Sequence, residues 1–247
     1  MGTNDTMTPA ANDANPVALS LFKQVPVFRD VDDATLAGLV TISTLAIVPE
    51  NTILCYQGIA AEHLLVLLEG QVALENTAAS GASAVVDVVP PGGHFMLSAV
   101  LSGLPCLMSA RTVAAAKLIA IEATGLRTLL HQEASLAGAL MRAEAVAFGA
   151  MVRQVCDLKL RTTAQRLGCY LLALTDVTAD NTVALRLPFD KRLLAARLGC
   201  RQENLSRAFA ALRRLGVETH GARVILHDIA SLRDYALPDD SSHVEAA

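Results

Sequence analysis

Six consecutive residues hold most of the reactive chemistry of this chain. Gln202, Glu203, Ser206 and Arg207 set an amide, a carboxylate, a hydroxyl and a guanidinium close together. Arg can take guanine O6 and N7 at once, Glu accepts from a cytosine amino group, and Ser meets a base or a phosphate. The surrounding run, LPFDKRLLAARLGCRQENLSRAFAALRRLGV from Leu187 to Val217, says how they are held. Leu205, Phe209 and Leu212 fall at i, i+4 and i+7, which turns the polar four to the other side of an amphipathic helix. Ahead of it, Leu193, Leu194 and Leu198 give a shorter helix one apolar face, and Gly199 ends it. In a helix-turn-helix the second helix enters the major groove with its N-terminal residues foremost. The plainer alternative is a helical hairpin with a solvated polar face.

In the DNA-reading case Arg207 contacts guanine and Glu203 accepts from cytosine while pairing with Arg207. Arg201, Lys191 and Arg192 are phosphate positioners or solvated charges. After the motif, Val217–Thr219 and Arg223–Leu226 flank His220-Gly221 as a hairpin wing, with Arg223 within reach of phosphate. The net charge of −4 argues against nucleic acid, but its distribution does not. From Arg186 to Arg223 nine Arg or Lys face three acids, a local +6 that leaves −10 for the rest. A basic module on an acidic body is the footprint of a DNA-binding domain.

These elements need a larger frame. The 247 residues, 53% hydrophobic, suffice for two modest domains. Residues 1–18 read as a disordered tail without a signal peptide, and 237–247 as a loose acidic one. From Ala46 to Glu122, short Val/Ile/Leu runs alternate with turns such as Gln57-Gly58, Glu69-Gly70 and Pro90-Pro91-Gly92-Gly93. That rhythm predicts an antiparallel jelly roll within residues 19–124, with Leu64–Leu68 and Val85–Val89 buried on both faces. Residues 125–162 turn helical, and Leu136, Leu140, Ala143, Ala147, Met151, Val155 and Leu158 make one stripe suited to a homodimer seam. Residues 163–236 form the winged helix-turn-helix domain, so the fold class is α+β. No uninterrupted apolar run approaches the ~18 residues of a membrane helix. Five scattered cysteines without a C-x-x-C pair read as reduced thiols, which points to a cytoplasmic protein.

The chain resembles the CRP/FNR transcription regulators from about Leu21 to Tyr235, most specifically in the Glu-x-x-Ser-Arg signature of Glu203, Ser206 and Arg207. The resemblance implies a bacterial homodimer that reads a TTGAT-like palindrome and touches RNA polymerase, and it brings Ser206 near a thymine. Gln202 stands where the cyclic-AMP receptor branch has Arg, which leaves the outer half-site base open. In nucleotide-binding members the phosphate cassette carries a Glu and an Arg where this chain has Ser98 and Met108, so cyclic nucleotide is not expected. An iron–sulphur cluster is not expected either, because no cysteine precedes Cys55.

Two effector classes remain. The nitrogen-oxide-responsive relatives suggest haem with a diatomic gas such as nitric oxide, ligated by His63, His94 or His131, with Met96 or a cysteine as a second ligand. The other class is a small aromatic acid among Leu97, Val100, Leu104, Met108, Met141, Phe148 and Met151. Constitutive activity is a third possibility. A cupin-like metalloenzyme would share the roll but needs clustered histidines, and no H-x-H pair is present. The sequence therefore reads as a non-enzymatic regulator.

Overall fold

A computed structural model describes residues 15–81, 83–175, 182–187 and 190–236. Residues 1–14 of the expected N-terminal tail, all of the C-terminal tail, most of the polar loop after Thr175, and Pro188-Phe189 lie outside the described residues. Residues 15–18 of the expected disordered tail are ordered: Asn15–Pro16 pair with a neighbouring strand and Val17 is buried. The chain divides into two compact units, Met1–Gly149 and Ala150–Ala247.

The first unit opens with β1 (Asn15–Pro16), α1 (Leu19–Lys23), a 3-10 turn at Pro26–Phe28 and α2 (Asp33–Thr41). Asp32 caps α2 by accepting from the Thr35 N–H at 2.9 Å. Then follow β2 (Ser43–Val48), β3 (Ile53–Cys55), β4 (His63–Glu69), β5 (Val72–Thr77), β6 (Ser83–Val89), β7 (His94–Phe95), α3 (Leu97–Ser102), β8 (Ser109–Thr112) and β9 (Ala116–Glu122). They pair antiparallel into two sheets, ordered β1-β2-β9-β4-β7 and β3-β8-β5-β6. This is the jelly-roll-like domain expected from the turn signals.

The period-2 alternation of a strand explains why β4 is apolar from Leu64 to Leu68. Leu65 and Leu67 face the space between the sheets, where they meet Val72, Phe95, Met96 and Leu118. Leu64 and Val66 face the other way, onto Phe22, Leu36, Leu39 and Leu126 from the helices. β6 departs from expectation. It lies at the edge of its sheet, so only Val88 and Val89 are buried while Val86 is exposed. At Gly70, φ is +93° and an added Cβ would lie 2.3 Å from the Ala115 carbonyl oxygen, so the β4–β5 turn requires glycine.

Residues 125–162 do not form one helix. α4 (Ala123–Gln132) stops at Glu133, whose ψ of 92° is extended, and α5 (Ala134–Leu160) begins afresh. The expected stripe stays on one side of α5 but changes surroundings along it. Leu136 and Leu140, with neighbouring Ala139, are buried in the first unit's helix-side core, whereas Met151, Val155 and Leu158 are exposed, as are Met141 and Phe148 beside the stripe. By length and mean composition alone α5 could cross a bilayer, although no apolar run within it is uninterrupted over ~18 residues. It carries Arg142, Glu144, Arg153, Asp157 and Lys159 along its length.

The second unit contains α6 (Thr163–Ala173), β10 (Val183–Arg186), α7 (Lys191–Arg197), α8 (Gln202–Leu212), a 3-10 turn at Arg213–Leu215, β11 (Val217–His220), β12 (Arg223–Leu226) and α9 (Ile229–Ala236). Its sheet order is β10-β12-β11. Leu167, Leu171, Leu194, Leu205, Leu212, Val224 and Leu232 draw the helices and hairpin into one core.

Candidate DNA-binding surface

α7 starts where the Asp190 carboxylate accepts from the Leu193 N–H at 2.8 Å. It ends at Gly199, whose φ is +61° and where an added Cβ would lie 2.5 Å from Leu158 Cδ2. Glycine thus fits this turn twice over, by conformation and by space. The N–H of Cys200 returns to the Ala195 carbonyl at 2.9 Å, and α8 begins two residues later, after Arg201.

α8 is anchored by Leu205, Ala208, Phe209 and Leu212, all buried. Gln202, Glu203, Ser206 and Arg207 are exposed, as are Arg201, Lys191 and Arg192. Gln202, Glu203, Ser206 and Arg207 therefore share the solvent-facing side of α8, as their spacing requires. Lys191 lies with its ammonium 6.0 Å from the centroid of the Phe209 ring, which steadies a long side chain over the turn. Glu203 and Arg207 form no ion pair among the described residues, contrary to expectation. Both project into water, where an i,i+4 pair is worth only a few tenths of a kcal/mol.

Arg223 opens β12, opposite His220 on one side and Arg186 on the other, and is exposed. Arg213 and Arg214, also exposed, extend the basic surface past the end of α8. Sequence reasoning passed over them because they follow the amphipathic repeat. It also missed a cluster on the wing: the carboxylate of Glu218 lies 2.8 Å from His220 Nε2 and 3.0 Å from His227 Nε2.

The candidate effector residues are scattered. His63 starts β4 opposite Glu122, and the Glu122 carboxylate caps α4 at Thr124 and Gly125. Those backbone N–H groups, Gly125 first, hold Glu122 below its usual pKa, with a smaller contribution from the nearby His63. His94 is half-buried on β7, and burial lowers its pKa, keeping the ring neutral. His131 is exposed in the last turn of α4. The three histidines occupy separate elements, and among the described residues no group of three His, Cys, Asp or Glu could hold a metal ion.

Met96 is buried between the sheets, with an unusual φ of +69° just ahead of α3. Met108 packs partly against that same core, whereas Leu97 and Val100 belong to the helix-side core. Leu104, Met141, Phe148 and Met151 are exposed. Within the first unit, Leu97 and Val100 thus belong to a different core from Met96 and Met108. Arg111, the cation nearest the expected phosphate position in sequence, is paired with Glu75 and donates to Asn51 Oδ1 at 2.9 Å.

Two family models match the chain: "Cyclic nucleotide-binding domain" over residues 46–133 and "Crp-like helix-turn-helix domain" over residues 165–235. Among characterised proteins it is similar to the "Probable transcriptional regulator flp" of Lacticaseibacillus casei, 26% identical over 86% of this chain and 96% of that protein. Among solved structures it is similar to a candidate cyclic nucleotide binding protein of Ruegeria pomeroyi. That match is 28% identical with a TM-score of 0.60, covering 90% of this chain and 100% of the other. FixK2 from Bradyrhizobium japonicum shares the fold at 18% identity and a TM-score of 0.67, over 78% of this chain and 96% of that one. With a cyclic-nucleotide-binding-type roll ahead of a Crp-like reading head, the chain belongs to the CRP/FNR superfamily, a family of transcription regulators and not of enzymes.

Proposed function

We propose that this regulator binds a TTGAT-like palindrome as a homodimer and is gated by a small effector in the roll. The observation that carries the reading is the face of α8: Gln202, Glu203, Ser206 and Arg207 exposed on a helix whose opposite side is locked into a core. Arg207 takes guanine, Glu203 accepts from cytosine on the other strand, and Arg201, Lys191 and Arg223 hold the backbone. Two-fold symmetry matches a palindrome with half-sites one helical turn apart.

The second copy packs along α5. Met141, Phe148, Met151, Val155 and Leu158 follow the alternating seven- and three-or-four-residue spacing of a coiled-coil seam, and all are exposed in the single chain. Surface loops of the dimer contact RNA polymerase in the bacterial cytoplasm, the setting that the family resemblance suggests.

The effector is not a cyclic nucleotide in this reading, since Met108 offers no charge and Arg111 is already neutralised by Glu75. Haem is the first candidate, and the residues present fit it at one point only. His94 is a half-buried imidazole kept neutral by burial, the form that ligates a metal. Such a haem would supply a gas-binding iron. A small aromatic acid is the alternative.

The test adds haem to the purified protein, then carbon monoxide and nitric oxide, and follows the Soret band alongside binding to a TTGAT-N4-ATCAA duplex. A one-per-subunit band lost in His94→Ala supports haem. A spectrum equal to that of free haem rejects it and moves the search to aromatic acids. Absence of duplex binding in every condition rejects the whole reading.

A further inference from the structure

The wing cluster has a geometry that the DNA-reading residues do not explain. Alternation along β11 buries Val217 and puts Glu218 and His220 on the outer face, two residues apart. His227 follows β12, and its N–H donates to the Gly216 carbonyl at 2.8 Å, which brings its ring back to Glu218. Each carboxylate oxygen of Glu218 therefore has its own imidazole: Oε1 lies 2.8 Å from His220 and Oε2 lies 3.0 Å from His227. All three side chains are about half exposed, so protons and a ligand can reach them.

The surroundings are cationic. Arg213 from the turn after α8 lines the same surface hollow, Arg214 follows it, and Arg223 stands opposite His220 on β12. Arg186 on β10 continues the row across the sheet. Asp228, next in sequence to His227, accepts from the N–H and hydroxyl of Ser231. With neutral rings the cluster is one negative charge set into this basic wing. With both rings protonated it becomes one positive charge, and Glu218 holds the two imidazoliums in place.

We propose that the wing is a proton-dependent binding surface for the DNA backbone, in which His220 and His227 act as phosphate contacts below neutral pH and Glu218 positions them. This rests on the reading of the hairpin as a DNA-facing wing. The carboxylate is poised for the role: hydrogen bonds from His227 and His220, in that order, hold Glu218 below its usual pKa. Imidazoles change charge across the physiological range, and each phosphate neutralised adds about 0.9 to the slope of log K against log salt.

The experiment measures binding of the full-length protein to a fluorescent duplex across a KCl series at pH 8.0 and pH 5.8. The wild type should bind more tightly at pH 5.8, with a slope steeper by about 2 to 4, for one or two added contacts on each of the dimer's two wings. His220→Gln/His227→Gln keeps donors on Glu218 without titrating, and its slope should be the same at both pH values. A wild-type slope indifferent to pH overturns the proposal while leaving DNA binding standing, as does a double variant with the wild-type pH response. No binding at either pH removes the DNA reading and the proposal with it.

Discussion

Phe148 puts the dimer reading at measurable risk. Its side chain is 68% exposed in the single chain, in the middle of the apolar seam of α5. A Phe buries about 150–250 Å², so the water-facing part is roughly 100–170 Å² on each copy. At about 25 cal/mol per Å² this gives an upper limit of about 2.5–4 kcal/mol per copy, and twice that across the two-fold. Packing is incomplete and side chains lose entropy, so Phe148→Ala should weaken the dimer by about 2–4 kcal/mol, or about 30- to 1000-fold in Kd. The ring is not part of either core of the first unit, so its fold should be unaffected. Sedimentation velocity over a concentration series reads the Kd, and a thermal melt of the dilute protein reads the fold. An unchanged Kd with an unchanged melt would place the dimer seam elsewhere.

Glu144 lies in the same seam, three residues before and after apolar positions, and burial raises its carboxyl pKa. A carboxyl whose pKa is raised on folding costs stability as pH climbs past the unfolded value, so the folded chain should gain stability as pH falls from 7 toward the unfolded value. Glu144→Gln should raise Tm at pH 7 and flatten that dependence, and a steeper dependence in the variant would contradict the placement. Gly70→Ala should cost about 3 kcal/mol or more and lower Tm by roughly 10 °C, because its Cβ meets fixed backbone; a melt within 2 °C of wild type would refute this. Cys55 is desolvated and beside Cys106, and its pKa is pushed up to about 12. Iodoacetamide at pH 7.5 should therefore modify exposed Cys156 first and spare Cys55 until the roll unfolds, as peptide mapping would show.

The reading head was legible because Leu205, Phe209 and Leu212 must all face one core, which dictates where Gln202, Glu203, Ser206 and Arg207 go. The roll was legible from its turns, although the edge position of β6 was not: strand composition does not say which neighbour is missing. No Pro or Gly marks the break at Glu133, so α4 and α5 read as one helix. Within α5 the stripe keeps one face from Leu136 to Leu158, and spacing alone does not say that its first residues enter a core while Met151, Val155 and Leu158 stay in water. Glu218, His220 and His227 meet only because the hairpin folds back, a contact no local spacing encodes. The effector residues scatter for the opposite reason: apolar spacing alone cannot tell a pocket wall from a filled core.

The most direct measurement is the ratio of affinities for a TTGAT-N4-ATCAA duplex and a scrambled duplex of equal length, at one salt concentration, for wild type and Arg207→Ala. The account predicts a clear wild-type preference that falls by about 1–3 kcal/mol, roughly 5- to 200-fold, in the variant. Binding to the scrambled duplex and the dimer should persist. Full retention of the preference in Arg207→Ala would contradict the assignment of α8 as the element that reads sequence.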